Sequence, residues 1–199
     1  MKKMTKFFAL ALLAGAMVSC STEDIAPSTQ NDKVAVQFTG GISVSTRAAG
    51  VAWADGDKIG IFMIEAGKTL SADAIREGVD NVCYQSNGSI AFSPISGGKT
   101  VFFPIDGDVD FYSYYPQTTV NDYKVALDVT DQGKQEAIDF MYAKTEGCNK
   151  ATPQVDLRFF HKLSNLILDV QPGNGLTQED LKKMTVTVKD QNTKATFNL

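Results

Sequence analysis

Lys58-Ile59-Gly60-Ile61-Phe62-Met63-Ile64 is apolar at nearly every position. Successive side chains of an extended strand point to opposite faces, so such a run is covered on both sides. That places it in the middle of a sheet, with strands on either edge. Further along, Val109-Asp110-Phe111-Tyr112-Ser113-Tyr114-Tyr115 is aromatic on both faces and is closed by Pro116. Proline has no N–H to give to a ladder. Between these two runs, residues 89–92 follow Asn87-Gly88 and residues 100–103 follow Gly97-Gly98, turn chemistry that punctuates short strands.

The same period of two extends in both directions. Upstream, Val34, Val36 and Phe38 alternate with Ala35 and Gln37; Gly40-Gly41 interrupts, and Ile42-Ser43-Val44-Ser45 resumes. Asp55-Gly56-Asp57 reads as a tight turn, because glycine permits positive φ and aspartate bonds its own backbone. Downstream, Tyr123, Val125, Leu127 and Val129 alternate with Lys124, Ala126 and Asp128, and strands are predicted over residues 138–143, 155–160, 166–170 and 185–189. Two stretches have helical signals: Thr177 with Asp180 ahead of Leu181-Lys182-Lys183-Met184, a capping box, and more weakly residues 71–77. Many short strands with Gly, Pro and Asn between them predict an all-β sandwich or barrel with at most one or two short helices.

The N-terminus carries an address. Lys2, Lys3 and Lys6 precede an apolar run over residues 7–18. That order is a secretory signal peptide, and the run is too short for a spanning helix, which needs roughly 20 residues. It ends in Met17-Val18-Ser19-Cys20, which resembles the lipobox of bacterial lipoproteins, with Met17 where leucine is commoner. Lipid attachment is therefore expected at Cys20, after a signal peptide over residues 1–19. Residues 20–33 are polar and contain Pro27, too poor in apolar surface to repay ordering, and read as a flexible tether. Glu23-Asp24 is either solvated linker or, by its resemblance to surface-export signals of Bacteroidetes lipoproteins, part of a sorting signal.

Composition narrows the function. The chain has 199 residues, 43% hydrophobic and 21% charged, an ordinary globular balance with room for one sizeable domain. Without the three leader lysines, 16 basic residues face 23 acidic ones, a formal charge of −7. No basic stripe is present, which argues against a nucleic-acid partner. Cys83 and Cys148 either pair in an oxidising compartment or stay as two partly buried thiols. They lack zinc-site spacing and the chain holds one histidine, so neither a metal nor a cofactor is expected.

Catalytic constellations are equally sparse. Asp55 and Asp57 flank Gly56 and belong to a turn. His161 ends an aromatic strand with no Gly-x-Ser-x-Gly to serve. No P-loop or dinucleotide fingerprint occurs, and no enzyme is expected. Tyr112, Tyr114 and Tyr115, with Phe102 and Phe103, are either a sugar-stacking platform or, as sheet periodicity favours, cross-strand packing. Ser45-Thr46-Arg47-Ala48-Ala49-Gly50 joins a strand to a segment of small residues around one arginine, the kind of loop that proteases cut.

Read in order, these pieces resemble the fimbrillin family of Bacteroidetes pilus subunits and related surface proteins. The resemblance rests on the lipobox at Cys20, Thr46-Arg47-Ala48, and Trp53-Ala54-Asp55-Gly56-Asp57-Lys58-Ile59-Gly60-Ile61-Phe62. It continues through Val101-Phe102-Phe103-Pro104, the strand over residues 109–116, Asp139-Phe140-Met141-Tyr142-Ala143 and Phe160-His161-Lys162-Leu163-Ser164. It implies a transthyretin-like β-sandwich over residues 34–199 and a cell-surface protein anchored in the outer membrane through Cys20. It also implies cleavage between Arg47 and Ala48 by an arginine-specific protease. Residues 34–47 would then be removable, with Val34, Val36, Phe38, Ile42 and Val44 as the plug of a groove refilled by a strand from another fimbrial subunit. The expected partners are other subunits and a host or bacterial surface ligand. The alternative is a surface lipoprotein that binds glycan or another ligand without polymerising. Relatives usually continue into a second β-sandwich and a C-terminal donor segment, whereas Ala195-Thr196-Phe197-Asn198-Leu199 reads as a strand cut short.

Overall fold

The computed structural model describes residues 33–43, 52–133 and 135–199. The chain divides into Met1–Asn31 and Asp32–Leu199, and every described residue lies in the second unit. Its strands are β1 (Gln37–Ser43), β2 (Asp55–Glu65), β3 (Val82–Asn87), β4 (Ala91–Pro94), β5 (Val109–Tyr115), β6 (Lys124–Asp128), β7 (Met141–Cys148), β8 (Gln154–His161) and β9 (Lys194–Asn198). Seven of them close a ring in the order β1-β4-β3-β2-β5-β7-β8, and β6 pairs with β9 in a separate two-stranded sheet. The fold is mostly β, as expected. Its helices are single turns, α1 (Gln135–Ile138) and α2 (Gln178–Leu181), with a 3-10 turn at Ala72–Ala74. The ladders describe a closed barrel in place of two separate sheets.

The double-sided apolar strand has two cores to serve. Ile59, Ile61 and Met63 of β2 point into the barrel, where they meet Val109 and Phe111 of β5 and Val155, Leu157 and Phe159 of β8. Phe62 and Ile64 point outward with Tyr112 and Tyr114 of β5, and there the β6–β9 sheet covers them through Val125 and Phe197. β2 is central in the ring, bonded to β3 on one side and β5 on the other. A strand covered by the barrel interior on one face and a second sheet on the other can be apolar throughout, which accounts for its composition.

Several expectations change in detail. β1 runs without a break through Gly40-Gly41. Asp55-Gly56-Asp57 is the expected tight turn, Asp57 N–H donating to Ala54 O at 3.3 Å, but it sits inside β2 as a bulge: the register slips between Asp55 and Lys58, Gly56 takes φ +93°, and Asp57 accepts from Ala54 N–H at 2.8 Å. β3 was not predicted, because Gln85 and Ser86 hide its pattern; Ser86 is buried, its hydroxyl bonding Ser89 O and Gly88 N–H within the hairpin to β4. Residues 100–103 form an isolated bridge, Ala35 to Phe102, in place of a strand. The Thr177–Asp180 capping box is present, with Asp180 N–H donating to the Thr177 hydroxyl at 3.3 Å and Thr177 N–H to the Asp180 carboxylate at 2.9 Å. Residues 166–170 and 185–189 have no ladder partner among the described residues. Leu166, Ile167, Leu168, Val186 and Val188 are each more than half exposed.

Candidate functional site

β1 is the strand that closes the ring. Side chains at even positions of β1 and of the segment leading into it point inward: Val36 and Phe38 are buried, and Val34 and Ile42 pack half-buried against the same core. Phe38 is 2% exposed and stands edge-on to the rings of Tyr84 and Phe111, at 5.1 Å centroid distance from each. On one side β1 runs parallel to β8 in unbroken register from Gln37↔Gln154 to Ser43↔Phe160. On the other it meets β4 only at Phe38↔Phe92 and Thr39↔Ala91. The strand is held at its entry by Val36 N–H to Val101 O (3.0 Å), Phe103 N–H to Val34 O (2.9 Å) and Gln37 N–H to Pro153 O (2.9 Å). Thr39 Oγ1 donates to Asp156 on the outer face at 3.1 Å.

The short β1–β4 ladder leaves a cleft of about 390 Å³ beside the strand, lined among others by Val36, Phe38, Tyr84, Phe92 and Pro94. Trp53 closes the far end of β1. Its indole packs edge-on to Phe92, Phe159 and Tyr115 at 5.0–5.4 Å, and Nε1–H donates to Gly40 O at 2.7 Å. Withdrawing β1 would thus expose a trough of aromatic and β-branched side chains and two rows of unpaired backbone groups, a state that needs another strand.

Of the residues that the sequence singles out, Val34, Val36, Phe38 and Ile42 share this groove. Val44, Arg47, Ala48 and Cys20 lie outside the described residues. Trp53 and Gly40 are components that strand patterning missed, since their roles depend on rings brought from β4 and β8. The tyrosines form no platform. Tyr114 is fully buried, its hydroxyl 2.7 Å from Thr118 O and 2.8 Å from Asn81 Oδ1, and Tyr112 is buried beneath Lys144. Tyr115 is partly buried and donates to Asp57 Oδ1 at 3.1 Å.

His161 Nδ1 lies 2.8 Å from Asp139 Oδ1, a pair joining the link between α1 and β7 to the end of β8. Burial raises the Tyr142 hydroxyl to about 12, with Tyr112 adding to the shift. Cys83 and Cys148 are free. Register explains why: Cys83 is level with Gly60, Tyr114 and Tyr142, and Cys148 lies six residues further along β7. Six residues of strand span about 20 Å, far beyond a disulfide's reach. Burial, then Asp110 and Asp108, pushes the Cys148 thiol to about 11. Among the described residues no three His, Cys, Asp or Glu side chains cluster in a way that could hold a metal.

Comparison with known proteins identifies the family. The model of the fimbrillin-like family matches residues 46–199. The chain belongs to the fimbrillin-like family. A curated relative, "Putative fimbrium subunit Fim1C" of Bacteroides uniformis, is 36% identical over 95% of this chain. The chain spans 63% of that relative's length. A solved structure described as a "putative cell adhesion protein" from Bacteroides uniformis ATCC 8492 is 36% identical, with a TM-score of 0.52. That match covers 65% of this chain and 49% of the solved one. The relatives that this fimbrillin-like chain matches carry fimbrial and adhesion names.

Proposed function

We propose that this fimbrillin-like chain is a fimbrial subunit or accessory adhesive component, exported as a lipoprotein through Cys20 and assembled by strand exchange after cleavage between Arg47 and Ala48. The relatives' names supply the fimbrial and adhesive setting. The observation that carries the mechanism is β1 itself. It ends at Ser43, four residues before Arg47, and it is the strand whose buried face completes the barrel. A cut after Arg47 separates β1 from the rest of the chain while leaving Trp53 and the groove behind. The cleft beside β4 gives an incoming strand a place to begin pairing.

In this reading the chain runs from a signal peptide (1–19) through a tether (20–33) into the domain (34–199), with residues 34–47 removable. Cys20 delivers the precursor to the outer membrane, and cleavage transfers retention from lipid to neighbouring subunits. The ring's two thin seams, at β1/β4 and β7/β8 with two paired positions each, support a transthyretin-like sandwich description. At those seams the barrel is nearly divided into a β8-β1 pair and a β4-β3-β2-β5-β7 sheet. Treatment of the full chain with an arginine-specific protease, followed by intact mass, tests the mechanism. A clean product beginning at Ala48 is expected. Resistance at that bond, or normal assembly of Arg47→Ala, refutes strand exchange.

A further inference from the structure

The inward row of β1 and the segment leading into it reads Val34, Val36, Phe38, Gly40, Ile42: four apolar side chains and one gap. The gap is already filled from other strands. A methyl group placed on Gly40 would lie 2.7 Å from Phe92 Cε2 and 3.3 Å from Phe159 Cε2. Trp53 stands edge-on to both rings and its indole bonds Gly40 O, so neither ring shifts without disturbing that packing, and Phe92 can yield only toward the cleft beside β4. The backbone at Gly40 does not require glycine, since its φ lies outside the left-handed region. Gly41, next along the same strand, would place its methyl where no other described residue lies within 4 Å. Both glycines have a φ open to other residues, and they differ in the volume available to a side chain, Gly40 also bonding Ile90 O and the Trp53 indole through its backbone.

We propose that this notch makes the groove selective: it takes an extended segment of another subunit only when a glycine stands two residues after the large apolar residue in the Phe38 pocket. The proposal rests on the strand-exchange reading. Its occupant is a peptide strand running parallel to β8, with the pattern apolar-x-large apolar-x-Gly-x-apolar matched to Val36, Phe38, Gly40 and Ile42. A segment with alanine or a larger residue at the fifth position must displace Phe92, and with it Trp53, before its neighbours seat.

Two measurements test it. In the first, the full chain is cut after Arg47 and challenged with labelled synthetic peptides of residues 33–45, unaltered or carrying Gly40→Ala or Gly41→Ala. Entry of the Gly40→Ala peptide should weaken at least about tenfold while Gly41→Ala stays within about twofold. Equal entry of both overturns the filter; failure of every peptide, the unaltered one included, overturns strand exchange instead. In the second, the uncut chain carrying each substitution is unfolded in urea. Gly40→Ala should lower the folded-to-unfolded ratio roughly tenfold or more, and Phe92→Leu in the same chain should restore part of it. Equal effects of Gly40→Ala and Gly41→Ala on the uncut chain overturn the notch whatever the peptides do.

Discussion

Replacing Phe38 by alanine removes the anchor of β1 while leaving its backbone ladder intact. The ring is 2% exposed and meets Tyr84 and Phe111 edge-on. Full burial of a phenylalanine side chain is worth about 1.5–3 kcal/mol in transfer alone. Two edge-to-face ring pairs add about 0.5–1.5 kcal/mol each, and the space left beside the existing cleft refills only in part. A total loss of about 3–5 kcal/mol is expected, in line with core Phe→Ala changes generally. Domains of this kind hold only about 5–15 kcal/mol, so the variant is left near the edge of stability. Trp53 provides the assay: it is the chain's one tryptophan, it is buried, and it bonds β1 through Gly40 O. Urea unfolding followed by its fluorescence should show the midpoint fall sharply for Phe38→Ala. Gln37→Ala, on the exposed face of the same strand, should change stability by no more than about 0.5 kcal/mol. A loss below about 1 kcal/mol for Phe38→Ala would refute the claim that β1 is seated by its inward row.

Other outcomes follow from the polar groups. Asp110 is buried and accepts Gly67 N–H and Gly147 N–H at 2.9 Å each, so Asp110→Ala should cost about 2–4 kcal/mol by urea titration, two donors being orphaned. Asp128 is held down to about 2 by the Thr130 hydroxyl and N–H and by Lys194, against an ordinary 3.8. Between those values the unfolded chain takes up the proton first, so the β6–β9 pairing should loosen as pH falls from about 4 to about 2. Amide exchange at residues 194–198 should report that loosening, and Asp128→Asn should abolish its pH dependence. Cys148, its thiol pushed to about 11, should alkylate slowly at pH 8 and faster as pH rises toward that value, read by mass. Non-reducing mass should find no Cys83–Cys148 bridge.

Much of the barrel was legible in the chain. The two-sided run at Lys58–Ile64 identified β2 as central, because alternation reports which faces are covered, and the aromatic run at Val109–Tyr115 marked β5 as a strand. The capping box was equally readable, since its bonds span only three residues. Periodicity also predicted strands at 166–170 and 185–189, which find no ladder partner among the described residues. A pattern records a demand for cover; it does not furnish the cover. β3 was missed for the reverse reason, its buried Ser86 being satisfied by a local turn that disguises an inward position.

What the sequence determined by itself is therefore the alphabet of strands, the inward row Val34, Val36, Phe38 and Ile42, the family, and the absence of any catalytic motif. What only the tertiary structure decided is that β1 pairs in parallel with β8, more than a hundred residues away, and barely with β4. It also turned Gly40 from an interruption into a notch. The physical reason is that alternation constrains a strand's two faces, whereas its edges and the free volume beneath it are made by residues from elsewhere. At Gly40 those residues are Phe92, Phe159 and Trp53.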